Sequence, residues 1–247
     1  MPLYCDLGNT RIKWRNGSEA GSIGYDNLAE DIPKLFSTGK ATDGVVFASV
    51  VKDQRRLSFI REVRVFAPKI SECVVTSSAL GVQCAYADVT RLGIDRWLAV
   101  IAAWERSSEA LMVVDLGTAA TFDFVDKNGI HLGGYIVPGL KLGIEGLLRG
   151  TNNVIVDMDL LRSANRLPGT NTNEAVYHGA LAAITSTIES AFHRHQSQYP
   201  EAKLLLTGGD AELVANHLEC HYQVDGNLVF EGMQLLHEHN LAIELAI

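Results

Sequence analysis

One pattern occurs twice in this chain and constrains its folding more than any other feature. Leu3 to Leu7 is an apolar run that passes straight into Asp6-Leu7-Gly8-Asn9-Thr10. A second strand, Arg11 to Arg15, then reaches the hairpin signal Asn16-Gly17. Leu111 to Val114 repeats the scheme: it delivers Asp115-Leu116-Gly117-Thr118, continues as Thr121 to Val125, and turns at Lys127-Asn128-Gly129 before His131 to Ile136 returns. Internal similarity of this kind predicts a duplicated fold with a site between its halves. No Pro- or Ser-rich linker separates them, so the boundary falls near residue 108, giving domains of 1–108 and 109–247.

The segments between the repeats alternate in type. Residues 26–38 read as a short helix, Val45 to Val50 as a buried strand, 52–64 as a charged amphipathic helix, and Val74-Val75 as the end of a further strand. Apolar residues three or four apart predict a helix over 95–107. After Pro138-Gly139 a helix is expected over Leu140 to Leu148, then a polar, mobile stretch over 150–170. A long helix over 173–197 carries Val176, Ala180, Ala183, Ile184, Thr187, Ile188, Ala191 and Phe192 at helical period, with Asn171 and Glu174 as its cap. Lys203 to Leu206 is a strand, and 211–219 and 230–241 are helices. Strand–helix alternation of this kind specifies an α/β layered architecture.

Composition narrows the partners. The 247 residues are 47% hydrophobic and 20% charged, enough apolar material for a large core. A net charge of −8 argues against nucleic acid as ligand, because a phosphate backbone needs a basic face. Arg55, Arg56, Arg61 and Arg64 read as a solvated helix face. No apolar run reaches the roughly 18 to 20 residues of a bilayer span, so no membrane segment is expected. The opening Met-Pro-Leu-Tyr-Cys-Asp does not have the form of a signal peptide, which leads to a cytoplasmic expectation. Cys5, Cys73, Cys84 and Cys220 are scattered and form no C-x-x-C pair, as ordinary reduced thiols would be. His193 with His195, and His237 with His239, are two apart on helices; their rings diverge, and they are expected at the surface without a metal.

The chemistry concentrates in the two acidic turns. Each sets an Asp at the end of an apolar strand, then a Gly that permits close backbone approach, then a hydroxyl. Backbone N–H groups and the Thr hydroxyl can donate to phosphate oxygens while the Asp holds a neutralising cation. Lys13, three residues past Thr10, can reach a β- or γ-phosphate as a point charge. A single such motif could be any tight β-turn, whereas two, one per half, point to phosphate. Thr207-Gly208-Gly209-Asp210 lies between a strand and a helix. It is either a turn with Asp210 as N-cap or a flat backbone surface for an adenosine. The chain has neither a P-loop nor a dinucleotide fingerprint.

These three segments resemble the two phosphate motifs and the adenosine motif of the actin, heat-shock chaperone and sugar-kinase superfamily. More specifically the chain resembles type III pantothenate kinases. The resemblance rests on Asp6-Leu7-Gly8-Asn9-Thr10 with Lys13, on Gly93-Ile94-Asp95-Arg96, and on Asp115-Leu116-Gly117-Thr118-Ala119-Ala120-Thr121. Gly133-Gly134-Tyr135-Ile136 with Pro138-Gly139, Asn171-Thr172 and Gly208-Gly209-Asp210 complete it. These motifs run in order from residue 4 to about 232.

What the resemblance implies is specific. The fold would be two similar ribonuclease H-like, actin-like ATPase domains with ATP in the cleft between them. Asp6, Leu7, Gly8, Asn9, Thr10, Arg11, Ile12 and Lys13 would form the first phosphate loop, with Asp6 orienting magnesium or its waters. Thr118, Gly208 and Gly209 would touch ATP from the second half, and Asp115 would bind a monovalent cation, potassium or ammonium. Gly93, Ile94, Asp95 and Arg96 would line the pantothenate pocket, with Tyr86 and Thr172 as further contacts. Asp95 would be the catalytic base, accepting the proton of a primary alcohol as it attacks the γ-phosphorus. From the residues alone Asp95 reads first as a helix cap, and Arg96 equally as a surface ion pair or as the bidentate partner of the substrate carboxylate.

A homodimer built on the helix that starts near Thr172 is also implied. The segment after Pro138-Gly139 often carries a Ser in the family; Leu140 to Glu145 do not supply one. Two rival readings remain: a kinase of the same superfamily acting on a sugar or acetate, and an accessory protein without turnover. The presence of Asp6, Lys13, Asp95, Asp115 and Thr118 argues against the latter.

Overall fold

The computed structural model describes residues 1–37, 43–151, 161 and 163–246. These form two compact units, Met1–Glu105 with Asn227–Ile247, and Arg106–Gly226. Residues 152–160 and 162 of the polar stretch expected at 150–170 lie outside the described residues.

The first unit opens with β1 (Leu3–Leu7), β2 (Arg11–Asn16), β3 (Glu19–Gly24) and α1 (Leu28–Ser37), followed by β4 (Val45–Ser49), α2 (Gln54–Val63) and β5 (Ile70–Glu72). A small hairpin, β6 (Ser78–Ala79) and β7 (Val82–Gln83), leads to α3 (Ile94–Ser107). The second unit contains β8 (Leu111–Leu116), β9 (Ala119–Val125), β10 (His131–Pro138), α4 (Leu140–Arg149), α5 (Thr172–Gln198), β11 (Lys203–Thr207), α6 (Ala211–Ala215) and β12 (Gln223–Val224). The chain then returns to the first unit with α7 (Leu228–Glu238) and β13 (Ile243–Glu244).

The predicted duplication is visible strand by strand. The first sheet runs β13-β5-β4-β1-β2-β3 and the second β12-β11-β8-β9-β10. In both, the central strand pairs antiparallel with the next in sequence and parallel with the strand that returns after a helix: β1 with β2 and β4, β8 with β9 and β11. Asp6 and Asp115 therefore hold equivalent positions near the carboxyl end of the central strand, where open α/β sheets gather their ligands.

Each unit has its own core. In β1 the side chains alternate, and Leu3, Cys5 and Leu7 are fully buried. They pack with Leu28 and Ile32 of α1 and with Phe59, Ile60 and Val63 of α2. Full burial of each such side chain stabilises by about 1.5–3 kcal/mol. On the Tyr4 side, α7 packs against β1, with the ring of His237 edge-on to Tyr4 at 6.3 Å. In the second unit Met112, Val114 and Leu116 of β8 pack with Tyr177, Leu181, Ile184 and Ile188 of α5 and with Val214 of α6. The expected cap of α5 is present: Asn171 accepts the Glu174 N–H at 3.0 Å, and Glu174 accepts from the Thr170 N–H and hydroxyl.

The structure corrects three expectations. Of the four arginines expected on a solvated helix face, Arg61 and Arg64 are exposed and Arg55 is half-exposed as it folds back over the first turn, but Arg56 turns inward to pair with Glu72. His195 is 5% exposed, not at the surface, and its Nε2–H donates to the Val125 carbonyl at 3.2 Å. The third concerns Val74-Val75, which lies beyond the strand, since β5 ends at Glu72.

Candidate active site

In the first unit the site begins where β1 gives way to β2. The Gly8 N–H donates to the Arg11 carbonyl at 3.2 Å, closing the hairpin turn and leaving Asn9, Thr10 and Arg11 exposed. Leu7 and Ile12 are buried and opposite each other, and the same register sets Asp6 opposite Lys13, so those two side chains share a face of the sheet. Lys13 itself is exposed. A two-residue slip in either strand would separate the carboxylate from the ammonium.

The turn is braced from behind. The Tyr25 hydroxyl donates to the Gly8 carbonyl at 2.7 Å, and Arg55 Nη1 donates to the Asn9 carbonyl at 2.6 Å. Burial, the largest influence, pushes the Tyr25 hydroxyl up to about 12, so it remains a donor at any physiological pH. Neither residue carries a local motif; a solvent-exposed turn gives no signal of what will hold it.

A second group gathers at the start of α3. Asp95 accepts the Arg96 backbone N–H at 2.9 Å, and Arg96 Nη1 donates to the Tyr86 hydroxyl at 3.3 Å. Arg96 is 5% exposed, which excludes a surface ion pair. Gly93 is required by close approach: a Cβ there would sit 2.5 Å from Asp95 Oδ1 and displace the carboxylate. Thus Tyr86, Gly93, Ile94, Asp95 and Arg96 form one cluster, with a partly buried acid and a buried guanidinium side by side.

In the second unit Asp115 stands opposite Thr121 on β9 and beside Thr207 on β11. The strand–turn–helix after β11 folds onto it. Gly208 has φ +96°, and a Cβ at that position would collide with Asp115 Oδ1 and the Leu116 carbonyl. The Asp210 N–H donates to that Leu116 carbonyl at 3.0 Å, while its side chain caps nothing. Burial pushes the Asp210 carboxyl above its ordinary value. Thr118 is exposed, and its carbonyl accepts from the Gly139 N–H at 3.1 Å, tying the second acidic turn to the start of α4. Asp115, Thr118, Gly208 and Gly209 therefore belong to one backbone cluster. Gly139, marked in the sequence only as part of Pro138-Gly139, is part of it too. The contacts that join this cluster do not include Thr172, which is exposed at the first residue of α5.

Among the described residues no three His, Cys, Asp or Glu side chains converge as a metal cage. Each acidic turn offers one carboxylate, a donor set suited to a hard cation that keeps most of its ligands as water and phosphate oxygens.

Residues 2–194 match the family model of type III pantothenate kinase. The type III pantothenate kinase of Chromohalobacter salexigens is 37% identical over 249 aligned residues, covering 95% of this chain and 86% of that protein. The corresponding protein of Marinobacter nauticus is 34% identical, covering 95% and 97%. Among solved structures, a Baf family transcriptional activator from Campylobacter jejuni superposes with a TM-score of 0.60 at 24% identity, over 96% of this chain and 98% of that one. The ethanolamine utilization protein EutJ from Carboxydothermus hydrogenoformans superposes with a TM-score of 0.52 at 12% identity, over 95% and 89%. At these identities the two structures speak to the fold alone. With the duplicated sheet topology, they bear out the expected α/β fold of two similar units.

Proposed function

The chain belongs to the type III pantothenate kinase family, and on that premise we propose that it transfers the γ-phosphoryl group of ATP to the primary alcohol of pantothenate. The product is 4'-phosphopantothenate, on the route to coenzyme A. The observation that carries this reading is the pair of Asp-Leu-Gly turns at equivalent strand ends of a chain that matches the family over most of its length.

In this reading the first turn, Asp6 to Lys13, receives the β- and γ-phosphates, with backbone N–H groups as donors and Lys13 as a point charge. Thr118 contacts ATP from the second turn, and Gly208 and Gly209 offer flat backbone to the adenosine. Gly93 to Arg96 and Tyr86 receive pantothenate. The buried Arg96 guanidinium suits its carboxylate, because the fork matches two oxygens at once. Asp95 takes the hydroxyl proton as the alcohol oxygen bonds to the γ-phosphorus; the bond from that phosphorus to the bridging oxygen breaks, and ADP leaves. Asp6 would hold magnesium bound with the triphosphate, which would supply positive charge against the charge that builds on the leaving group. Asp115 is the monovalent-cation ligand, for potassium or ammonium.

Two further features belong to the proposal. The protein acts in the cytoplasm; no described helix is long and apolar enough to cross a membrane. It works as a homodimer in which Thr172 reaches the partner's substrate pocket. An apolar groove of about 480 Å³ between α4 and α5, lined by Leu140, Ile144, Leu147, Val176, Ala180 and Ala183 among others, supports α5 as the interface.

The deciding experiment is a coupled assay for ADP release with pantothenate as acceptor, in magnesium with and without potassium. Pantothenate-dependent turnover that rises with potassium is expected. Turnover on a hexose with none on pantothenate would reassign the substrate, and ATP binding without any turnover would make the protein a non-enzymatic relative.

A further inference from the structure

We propose that Tyr25 and Arg55 are positioning residues for ATP, turning the Gly8–Asn9 and Asn9–Thr10 peptides so that the Asn9 and Thr10 N–H groups face the phosphates. The inference rests on the reading above, that the first turn receives the nucleotide.

Three successive carbonyls of this turn are held by the protein. Leu7 O accepts from Val50 N at 3.1 Å, Gly8 O from the Tyr25 hydroxyl at 2.7 Å, and Asn9 O from Arg55 Nη1 at 2.6 Å. A peptide unit is planar and trans, so its N–H points opposite to its C=O. Fixing the Gly8 and Asn9 carbonyls toward Tyr25 and Arg55 therefore sends the Asn9 and Thr10 N–H groups to the other side of the turn. Such a row of aligned N–H groups is an anion-binding concavity. A free turn would sample other orientations and lose that alignment.

The brace is itself rigid. Asp53 accepts the Arg55 backbone N–H at 3.0 Å, capping α2, and also takes Arg55 Nε and Nη2 at 2.9 and 2.7 Å. The Arg55 guanidinium lies over the Tyr25 ring, 5.4 Å from its centroid. The arginine fork is thus spent on Asp53 and Asn9 O, and the cap of α2 carries its orientation to a turn 46 residues earlier.

Asp53→Asn provides the sharpest test, because charge and position predict opposite outcomes. Asn caps a helix as well as Asp, so α2 should keep its N-terminus. Were Arg55 only a source of positive potential, removing the Asp53 charge would tighten ATP. As a positioning clamp, it should loosen and ATP should bind about 3- to 10-fold more weakly, the range for loss of one ordinary net hydrogen bond. Tyr25→Phe should weaken ATP by about 2- to 5-fold, and Arg55→Lys, which keeps the charge and loses the fork, should not restore wild-type affinity.

Dissociation constants for ATP by calorimetry, KM for ATP and for pantothenate, and melting temperature would be compared across the set. A rise confined to ATP, with KM for pantothenate within about twofold, supports the proposal. Tighter or unchanged ATP binding in Asp53→Asn, or an equal rise for both substrates, overturns it. A wild-type protein that binds ATP without phosphorylating pantothenate would sink the kinase reading while the ATP affinities still judge the brace. A wild-type protein that fails to bind ATP would overturn both.

Discussion

Asp95 and Gly208 show how much can rest on a single atom. Asp95 is partly buried at the first turn of α3, and a side chain at its neighbour Gly93 would meet the carboxylate Oδ1. As the proposed base it should tolerate loss of basicity badly: Asp95→Asn is expected to lower kcat by about 100-fold or more. ATP affinity should stay within about threefold, because the residue acts on the alcohol. Near-wild-type turnover in that variant would remove it from the role. Gly208 acts through sterics. Alanine there must adopt a left-handed φ and push against Asp115, so Gly208→Ala should cost about 1–3 kcal/mol and lower Tm by several degrees. ATP binding or potassium activation should weaken with it; a variant with unaltered Tm and affinity would contradict the contact described. Gly208 was legible as a candidate from its glycine pair, a local signal, whereas Asp95 was marked only by the family resemblance of Gly93-Ile94-Asp95-Arg96. Tyr25 and Arg55 were not legible, since each acts on a backbone group far away in sequence. A lone arginine on a charged helix looks the same whether it faces water or a carbonyl.

Among the elements, α5 departs most from what its periodicity suggested. The apolar series runs at helical spacing, yet it splits into two stripes. Tyr177, Leu181, Ile188 and Phe192 enter the core, Ala183 and Thr187 line the open groove against α4, and Val176, Ala180 and Ile184 serve both. A spacing of three and four cannot distinguish these stripes, because either would face something apolar. If the groove is the dimer interface, Ala183→Glu should place an unpaired carboxylate there, at a cost on the order of 3–5 kcal/mol, and turn the dimer into a monomer by light scattering after gel filtration. Ala183 is exposed in the protomer, so the monomer's fold should survive. An unchanged dimer would locate the interface elsewhere. The strands tell a similar story. Central β1, β4, β8 and β11 announced themselves as apolar runs, whereas β3 and β13 did not: β3 reads Glu-Ala-Gly-Ser-Ile-Gly, an exposed edge whose only instruction is the hydrogen bonding offered by β2.

For the molecule as a whole, stability should carry a mark of the buried His195. Burial holds its imidazole below the ordinary value, and the ring sits between Phe124 and Tyr199 at 5.4 and 5.0 Å. The unfolded chain would therefore bind a proton at about pH 6.5 that the fold resists, so stability is full above that pH and falls as pH drops toward the folded value. Thermal unfolding at pH 7, 6 and 5 should show a shallower decline for His195→Gln, which keeps a donor for the Val125 carbonyl but does not titrate; equal slopes would assign the effect to other groups. What the residues determined unaided was the duplicated plan: strand, acidic glycine turn, strand, hairpin, twice. Alternation, turn chemistry and helical spacing are short-range properties, readable within a few residues. Only the tertiary structure decided which arginine braces a turn, which stripe of α5 is core, and that Gly208 abuts Asp115. Those outcomes depend on chain segments far apart in sequence meeting at ångström distances, and no local pattern encodes such a meeting.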